Sequence, residues 1–312
     1  MQIHNKEAQL LVIEDSQITD IPGIIIGHST NEQGETGCTT ILCPDGAKAG
    51  VDVRGSAPGT MEIEVLKPVR LVPEINGLFF TGGSALGLPA VKGVHNFLKM
   101  NDIGYNTGNA KIPIIPGAVI YDIGDKGENA IPDTEMAYNS AENAADGQVE
   151  EGAIGVGIGA TVGNIYGPSK TKRGGVATLS GRTFDGINVG VFLVVNAFGG
   201  IYDPWQGRWI VGDDNFDNSL LYQKPEELWK SNTTLIAIAT DASLSKEQCI
   251  KVAEMAQDGV SRVIYPAHTL FDGDLSVTLS VGDKTGDING LGHLAAILVS
   301  KCILRAVELS NK

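Results

Sequence analysis

The step Asn232-Thr233 joins residue types that can break their own peptide bond. The hydroxyl of Thr233 can attack the carbonyl carbon of Asn232, and scission would leave Thr233 as a new amino terminus. A free α-amine has a pKa of about 8, so it can accept the proton of the hydroxyl beside it. One residue would then supply both nucleophile and base. An Asn-Thr-Thr sequence before a strand is also ordinary, so the step alone leaves both interpretations open.

The sequence around that step favours a place where the chain can be cut. Segment 201–231 is polar, acidic and rich in turn residues, and it changes abruptly to the β-prone run 235–239. A flexible segment that leads into a buried strand can be cut without loss of the core. We therefore predict an irregular approach to a buried strand that begins near Thr233.

A second cluster of reactive side chains lies in segment 268–274, which reads HTLFDGD. Asp272 and Asp274 are two residues apart, so both carboxylates would point to one face if the following strand begins early. Such a pair beside an ammonium group and a hydroxyl can orient a nucleophile and shift its proton affinity. Asp-Gly-Asp is equally a good turn sequence or an incidental cation site. The residues alone do not decide between these interpretations.

Acyl transfer also needs hydrogen-bond donors for the oxyanion, and two polar residues end apolar strands. Asn196 follows the apolar run 189–195, and Tyr121 ends the segment IPGAVIY. A buried amide or phenol must find a hydrogen-bond partner. Oxyanion binding is one such use of each side chain, and ordinary structural hydrogen bonding is the other.

The sequence does not match three common functional motifs: a dinucleotide-binding loop, a nucleophile elbow and a histidine metal site. Segment 155–160 fits a loose G-x-G-x-x-A pattern, but it follows an acidic loop rather than a strand. Segment 82–87 lacks the second glycine of a nucleophile elbow, so Ser84 is predicted to cap the following helix. The five histidines show no ligand spacing, and the sequence therefore predicts neither a metal nor a cofactor.

The composition is that of a globular protein with a large core. The 312 residues are 42% hydrophobic and 19% charged, and 23 basic against 37 acidic side chains give a formal net charge of -14. A surface of this sign repels nucleic-acid phosphates and anionic lipid, so we expect no nucleic-acid or membrane partner. No basic segment followed by an apolar one opens the chain, and segment 291–309 carries too many charges for a membrane span. We expect a cytoplasmic protein.

The cysteines form no C-x-x-C pair and lie mostly in apolar runs, so buried, reduced thiols are predicted. They are Cys38, Cys43, Cys249 and Cys302.

The elements that must position these residues alternate between short strands and a few helices. Apolar, β-branched runs bounded by Gly, Pro, Asn or Asp predict eight or more strands. Ser245 and Gln248 predict a capping box. Because the order is not a regular β-α-β alternation, we predict a single α/β domain over residues 1–312, with stacked sheets covered by helices. Helical spacing predicts helices near 84–100, 134–146, 245–262 and 291–309.

Eight segments resemble the L-aminopeptidase/D-esterase family of self-processing hydrolases, which includes β-aminopeptidases and nylon-oligomer hydrolase. They occur in family order from about residue 18 to the carboxyl end, and they are ITDIPGIIIGHST, VDVRGSAPGT, LFFTGGSALGL, KIPIIPGAVIYD, GIGATVGN, VFLVVNAFG, NTTLIAIATDA and PAHTLFDGD. The resemblance implies a four-layer α/β/β/α sandwich of the kind found in ornithine acetyltransferase. It further implies self-cleavage into an α-chain (residues 1–232) and a β-chain (residues 233–312). These αβ units would form a homo-oligomer, commonly a tetramer.

The resemblance also implies roles for single residues. Thr233 is expected to be the nucleophile of both self-cleavage and substrate hydrolysis. Asp272 and Asp274 look like the acidic pair of the nylon-hydrolase branch. Asn196 and Tyr121 match the residues assigned to oxyanion stabilisation and substrate positioning.

Two departures from the family pattern affect the site. The family often has Lys-Gly-Gly where this chain has Lys-Arg-Gly-Gly, so Lys172 is expected at the basic position of the site unless Arg173 replaces it. The two side chains differ in geometry and in ease of deprotonation. Ser56 and Met61 stand where relatives usually have Gly and Arg, so the resemblance leads us to expect an altered pocket.

The resemblance thus predicts an N-terminal-nucleophile aminopeptidase or amidohydrolase that acts on small amine-bearing peptides or amides through an acyl-Thr intermediate. One alternative is an acyltransferase that uses the same threonine and passes the acyl group to an amine. Another is an uncleaved protein that binds without catalysis. Product formation with and without an amine acceptor separates the first alternative, and denaturing electrophoresis separates the second.

Overall fold

Long apolar strands dominate this fold because many segments bury side chains on both faces. The computed structural model describes residues 11–12, 16–213 and 232–312. Within these residues the helices are α1 (Lys92–Met100), α2 (Thr134–Glu142), α3 (Lys246–Ser261) and α4 (Ile288–Ser310). The strands are β1 (Leu11–Val12), β2 (Ile25–Asn31), β3 (Thr36–Val53), β4 (Thr60–Met61), β5 (Ile75–Thr81), β6 (Tyr105–Asn106), β7 (Lys111–Ile112), β8 (Gly117–Val119), β9 (Thr161–Val162), β10 (Lys172–Arg173), β11 (Gly175–Arg182), β12 (Asn188–Asn196), β13 (Gly200–Asp203), β14 (Arg208–Val211), β15 (Thr233–Ala242), β16 (Ile264–Tyr265) and β17 (Leu275–Lys284).

The 18-residue strand β3 takes part in two sheets. Its first part, 36–42, pairs with β2 and β5, whereas its last part, 48–53, pairs with β17. The first sheet has the order β1-β11-β12-β15-β17-β3, and the second has the order β2-β3-β5-β8-β4. Strand β15 lies inside the first sheet, antiparallel to β12 and parallel to β17.

Alternate residues of the central strands pack into different layers of the core, as strand geometry requires. On β15, Ile236 and Ile238 pack with α3 and α4, whereas Leu235 and Ala237 pack between the two sheets. A third cluster, which includes Phe79, lies between the second sheet and helices α1 and α2. Three core layers separate four structural layers, so the predicted α/β/β/α sandwich is confirmed.

The predicted helices are found, with differences at their ends. The capping box at α3 is confirmed, because the backbone N–H of Gln248 donates to Ser245 Oγ and that of Ser245 donates to Gln248 Oε1. Helix α2 ends at Glu142, four residues earlier than predicted, because Ala145 leaves the helix to pair with Ile26.

The start of the helix predicted at 84–100 was wrong. A 3₁₀ helix, Ser84–Val91, comes first and contains Pro89, so the regular α-helix begins only at α1. Ser84 does not cap it, because Gly83 is the N-cap residue and makes no side-chain cap. The carboxylate of Asp122 instead accepts the Gly83 N–H at 2.7 Å.

The segment that was predicted to be irregular, 201–231, is partly ordered. Strands β13 and β14 form an antiparallel hairpin, and β13 also pairs with β16. The rings of Tyr202, Trp209 and Tyr265 pack edge to face across these strands and stabilise the hairpin. The irregular interpretation is therefore wrong for 201–213. Residues 214–231 lie outside the described residues, so for them it stays a prediction.

The cysteines and the last helix belong to the core. All four cysteines are buried and free, as predicted, and burial raises the pKa of Cys38 and Cys249 to about 12. Helix α4 is long and apolar enough to cross a membrane by length and composition. However, 72% of its most apolar 18-residue stretch is buried within the protein. It is packed as a core helix against α3 and the first sheet.

Candidate active site

Thr233 and Asn196 face each other across two neighbouring strands of the first sheet. Thr233 begins β15, Asn196 ends β12, and the two residues are Cα partners in the ladder. Both are nearly fully buried. Because Leu235 faces the layer between the sheets, Thr233, two positions earlier, lies on the same face at the end of that layer. The sheet therefore places the hydroxyl at the edge of the sandwich without exposing it.

The carbonyl oxygen of Asn232 receives two hydrogen bonds. Thr233 Oγ1 donates at 2.6 Å, and the backbone N–H of Gly273 donates at 2.7 Å. An N–H that already points at a carbonyl oxygen is placed to stabilise the negative charge that develops there during nucleophilic attack. The Asn232 carbonyl, the Thr233 hydroxyl and a backbone N–H donor therefore lie together in the intact chain.

Gly273 was missed by sequence reasoning, which considered Asp-Gly-Asp only for its carboxylates and as a turn. A Cβ at Gly273 would lie 2.7 Å from Thr233 Oγ1 and 2.8 Å from the carbonyl oxygen of Ala57. Only glycine allows the backbone to approach the Thr233 hydroxyl this closely.

The two carboxylates are held by a loop rather than by a strand face. Strand β17 begins at Leu275, after both aspartates, so the condition for the one-face prediction is not met. Asp272 Oδ2 accepts hydrogen bonds from the backbone N–H of Thr269 at 2.8 Å and from its hydroxyl at 2.6 Å. Asp272 also forms an isolated bridge with Asn232, which brings this loop against the Asn232-Thr233 peptide bond.

Asp274 connects strand β15, which begins at Thr233, to a histidine. Its Oδ1 accepts the backbone N–H of Thr234 at 2.7 Å, and its Oδ2 lies 2.9 Å from His268 Nδ1. His268 was not predicted as a site residue, because the histidines show no ligand spacing. The residue has a left-handed backbone (φ of 56°), which turns its ring back toward Asp274 six positions later.

Burial and charge set the proton affinities of this loop. Burial, followed by the nearby charge of Asp274, raises the pKa of Asp272 to about 7. Burial of His268 opposes its protonation, but the hydrogen bond and the charge of Asp274 outweigh burial and raise the pKa of His268. A carboxyl group that titrates near neutrality beside a nucleophile is suited to hold or pass a proton.

Asn196 and Tyr121 meet at the same end of the sheet. Asn196 Oδ1 accepts the backbone N–H of Thr161 at 2.9 Å, and its Nδ2 donates to the backbone carbonyl of Tyr121 at 3.2 Å. Tyr121 is thus brought to the site through its main chain, and its side chain is half-buried. The role of either residue in oxyanion binding stays a prediction.

The two basic candidates are held by other partners. The ammonium group of Lys172 donates to the backbone carbonyl of Ile210 at 3.2 Å, and its side chain is exposed. Arg173 pairs with Glu35 at 3.3 Å, and both side chains are about half exposed. The hydrogen-bond and ion-pair partners of Lys172 and Arg173 are thus Ile210 and Glu35, and the basic role at the site stays a prediction.

Asn164 reaches the site although no sequence pattern predicted it. Its Nδ2 donates to Asn232 Oδ1 at 2.7 Å, next to the Asn232-Thr233 peptide bond. The short loop between β9 and Asn164 contains Gly163 in a left-handed conformation (φ of 76°), which turns Asn164 inward. The only sequence signal for Asn164 is its place at the end of the family-like segment GIGATVGN.

The described residues contain no group of three or more His, Cys, Asp or Glu side chains close enough to hold a metal ion. The polar groups around Thr233 are a hydroxyl, two carboxyl groups, an imidazole, amides and backbone N–H groups.

Comparisons with known proteins agree with this picture. Residues 16–311 match the family model described as peptidase family S58. The chain is 37% identical over 289 residues to an uncharacterized aminopeptidase of Mycobacterium tuberculosis, covering 86% of this chain and 82% of the relative. It is 29% identical over 317 residues to a 6-aminohexanoate-oligomer endohydrolase of Kocuria sp., covering 93% of this chain and 85% of the relative.

Among solved structures, the L-aminopeptidase D-Ala-esterase/amidase of Ochrobactrum anthropi is similar with a TM-score of 0.72 at 18% identity. The match covers 95% of this chain and 86% of that chain, which is described as a variant of the Ntn hydrolase fold. The similarity concerns the fold, and it agrees with the four layers found here.

Proposed function

The chain belongs to peptidase family S58 and is a hydrolase of peptide or amide bonds; from this premise we propose that it cleaves itself between Asn232 and Thr233. We propose further that Thr233, once it is an amino terminus, is the nucleophile toward substrates. The observation that carries the proposal is the pair of hydrogen bonds from Thr233 Oγ1 and the Gly273 N–H to the Asn232 carbonyl oxygen.

Self-cleavage proceeds in two steps in this proposal. Thr233 Oγ1 forms a bond to the carbonyl carbon of Asn232, the C–N bond of the peptide breaks, and the freed nitrogen takes the hydroxyl proton. The product is an ester between Asn232 and the Thr233 side chain. Water then attacks this ester, which leaves a carboxylate on Asn232 and a free hydroxyl and α-amine on Thr233.

Substrate hydrolysis repeats the same bond changes with an external amide. The α-amine of Thr233 accepts the hydroxyl proton, Oγ1 attacks the substrate carbonyl, and the leaving amine departs with a proton. The Gly273 N–H stabilises the oxyanion, and water resolves the acyl-Thr ester. Asp274 holds the nucleophile strand through Thr234, and Asp272 is the group whose proton affinity suits proton transfer near neutral pH.

We propose small amides with a free amine in the acyl part as the substrate class. The relatives are named an aminopeptidase and a 6-aminohexanoate-oligomer endohydrolase, and the first of these names refers to an acyl unit with a free amino group. The acidic residues at the site and the formal net charge of -14 would attract a substrate ammonium group.

The test is N-terminal sequencing and intact-mass analysis of the purified wild-type protein, followed by a panel of aminoacyl p-nitroanilides. We expect two chains, one of which begins Thr-Thr-Leu, together with release of p-nitroaniline. Active material that remains one chain of 32.8 kDa would overturn the proposal. Addition of an amine acceptor to the assay would reveal acyl transfer if the acyl group moved to that amine rather than to water.

A further inference from the structure

The side chain of Asn232 is held in a fixed orientation by Asn164. Asn164 Nδ2 lies 3.3 Å from the backbone carbonyl of Ala197, and a carbonyl oxygen can only accept. Its Oδ1 accepts from the hydroxyl of Thr171 at 3.4 Å. Both contacts place the donor end of the Asn164 amide toward Asn232. The residue before the scissile bond therefore presents its oxygen, Oδ1, to a donor at 2.7 Å.

The donor is also tied to the part of the sheet that carries the nucleophile. Thr161 Oγ1 lies 3.0 Å from Asn164 Nδ2, and the Thr161 N–H donates to Asn196 Oδ1 at 2.9 Å. Asn196 is the cross-strand partner of Thr233. The distance between Asn164 and the reacting bond is thus set by a short chain of hydrogen bonds rather than by a free loop.

The ester formed in self-cleavage is the same chemical species as the ester formed from a substrate. In the first, the acyl group is that of Asn232, and in the second it is that of the substrate. In both cases it is bound to Thr233 Oγ1, faces the same α-amine and is attacked by water. A site that stabilises both esters through one oxyanion donor must place both acyl side chains in the same region. That region contains Asn164.

We infer that Asn164 is the acyl-side recognition residue, and that it selects acyl units whose side chain carries a neutral hydrogen-bond acceptor at the position of Asn232 Oδ1. This inference rests on the proposed function. An asparaginyl amide satisfies the Asn164 donor, whereas a leucyl amide of nearly the same shape leaves that donor without its partner. Loss of a hydrogen bond to a site built for it lowers specificity, here by about tenfold in kcat/KM.

The experiment compares L-asparaginyl and L-leucyl p-nitroanilide in the wild type, in Asn164→Leu and in Asn143→Ala. Asn143 is a matched control, because its Nδ2 also donates to a backbone carbonyl, that of His28, but at the exposed C-cap of α2. We expect the wild type and Asn143→Ala to favour the asparaginyl substrate about tenfold in kcat/KM. In Asn164→Leu the ratio of kcat/KM for the two substrates should fall to about one or reverse.

A second variant keeps the test decisive if Asn164→Leu fails to mature. The double variant Asn164→Leu with Asn232→Leu removes the donor and the acceptor together, so recognition predicts that processing recovers relative to Asn164→Leu alone. A purely structural role of Asn164 predicts no recovery, and that outcome would overturn the inference. The fraction of cleaved chain over time is read by intact mass.

The possible results distinguish the role of Asn164 from the proposed self-cleavage and amide hydrolysis on which it rests. A processed, active enzyme with equal kcat/KM for the two substrates, or with the same ratio in Asn164→Leu, would overturn the role of Asn164 alone. A wild-type protein that neither splits nor releases p-nitroaniline would overturn both proposals.

Discussion

The two ends of strand β15 carry similar residues in different surroundings. At the carboxyl end, Asp241 accepts hydrogen bonds from the backbone N–H of Asn188 at 2.9 Å, from its Nδ2 at 2.7 Å and from Lys284 Nζ at 2.6 Å. At the amino end, Asp272 and Asp274 lie beside Thr233, and the ion-pair partner of Asp274 within the described residues is His268.

The difference separates a structural carboxylate from a reactive pair. A lysine and two amide donors offset the negative charge of Asp241, so the carboxylate at this end of the strand is paired and fully hydrogen-bonded to them. At the other end, two buried carboxyl groups raise the cost of ionisation, and the pKa of Asp272 rises as a result. Thr233 and Thr240 are both nearly fully buried. Thr233 Oγ1 donates to the carbonyl of the preceding residue, Asn232, which the Gly273 N–H also contacts, whereas Thr240 Oγ1 donates to the carbonyl of Asn188 on the neighbouring strand.

The largest expected effect is at the two threonines. Thr233→Ala removes the nucleophile, so both processing and hydrolysis should be lost and the chain should remain whole. Thr240→Ala is the matched control, because it removes a buried hydroxyl that donates to the carbonyl of Asn188 at 2.8 Å. It should process fully. Denaturing electrophoresis and p-nitroanilide assays measure both, and full activity of Thr233→Ala would contradict the comparison.

Glycine substitutions at the two ends should separate chemistry from folding. Gly273→Ala pushes a Cβ against Thr233 Oγ1 and displaces the oxyanion donor, so self-cleavage should slow by about 10²–10³. Gly282→Ala would clash with the Asp241 backbone and should lower the melting temperature instead. Time courses of cleavage, with thermal melts for both variants, test this. Equal cleavage rates in wild type and Gly273→Ala would show that another group serves the oxyanion.

Neutralising one carboxylate at each end should change stability with opposite signs. The folded-state pKa of Asp272 is raised, so the folded protein binds more protons than the unfolded chain and loses stability as pH rises from about 4 to about 7. In a Thr233→Ala background, Asp272→Asn should therefore stabilise the protein at pH 8 by roughly 1–3 kcal/mol and have little effect at pH 4.

Asp241→Asn should instead destabilise at pH 8, because Lys284 and Asn188 lose their charged partner. Urea unfolding at the two pH values measures both variants. If both substitutions changed the unfolding free energy in the same direction, the contrast between the ends would be wrong.

The smallest expected effect is that of replacing the cationic partners of the carboxylates, His268 and Lys284. The raised pKa of His268 means that its charged pairing with Asp274 is complete below about pH 6.5 and is lost as pH rises through its folded-state value. His268→Gln should lower kcat about fivefold at pH 6, or about 1 kcal/mol, with a smaller loss at pH 9. Lys284→Gln, at the other end, should leave the pH profile of kcat unchanged. Parallel pH–rate profiles of wild type and His268→Gln would remove His268 from the mechanism.

Local signals in the sequence predicted much of the fold. Ser245 and Gln248 are three residues apart and cap α3 as expected, since a capping box is decided within one turn. The apolar strands β12 and β15 were visible because they are buried on both faces. Pro89 is the local reason why the helix at 84–100 begins as a 3₁₀ turn.

The candidate site was predictable only where the residues resemble a known pattern. Thr233, Asp272, Asp274 and Asn196 were named, and the structure brings them together. Asn164 was missed because its contact with Asn232 spans 68 positions and no periodicity encodes it.

The pairing of Lys172 with Ile210 escaped for a related reason. It depends on where the short strand β10 lies beside β14, which is a matter of long-range packing.

The position of β15 inside its sheet affects how the protein can refold after the chain is cut. After scission at Asn232, this strand would still be hydrogen-bonded to β12 of one fragment and β17 of its own. The fragments would remain one body in native buffer, yet once unfolded they could find each other again only by diffusion. Refolding of the mature protein would thus become bimolecular and dependent on protein concentration, whereas the precursor folds with its parts tethered at high effective concentration. Dilution should therefore lower the refolding yield of the mature protein but not that of the precursor.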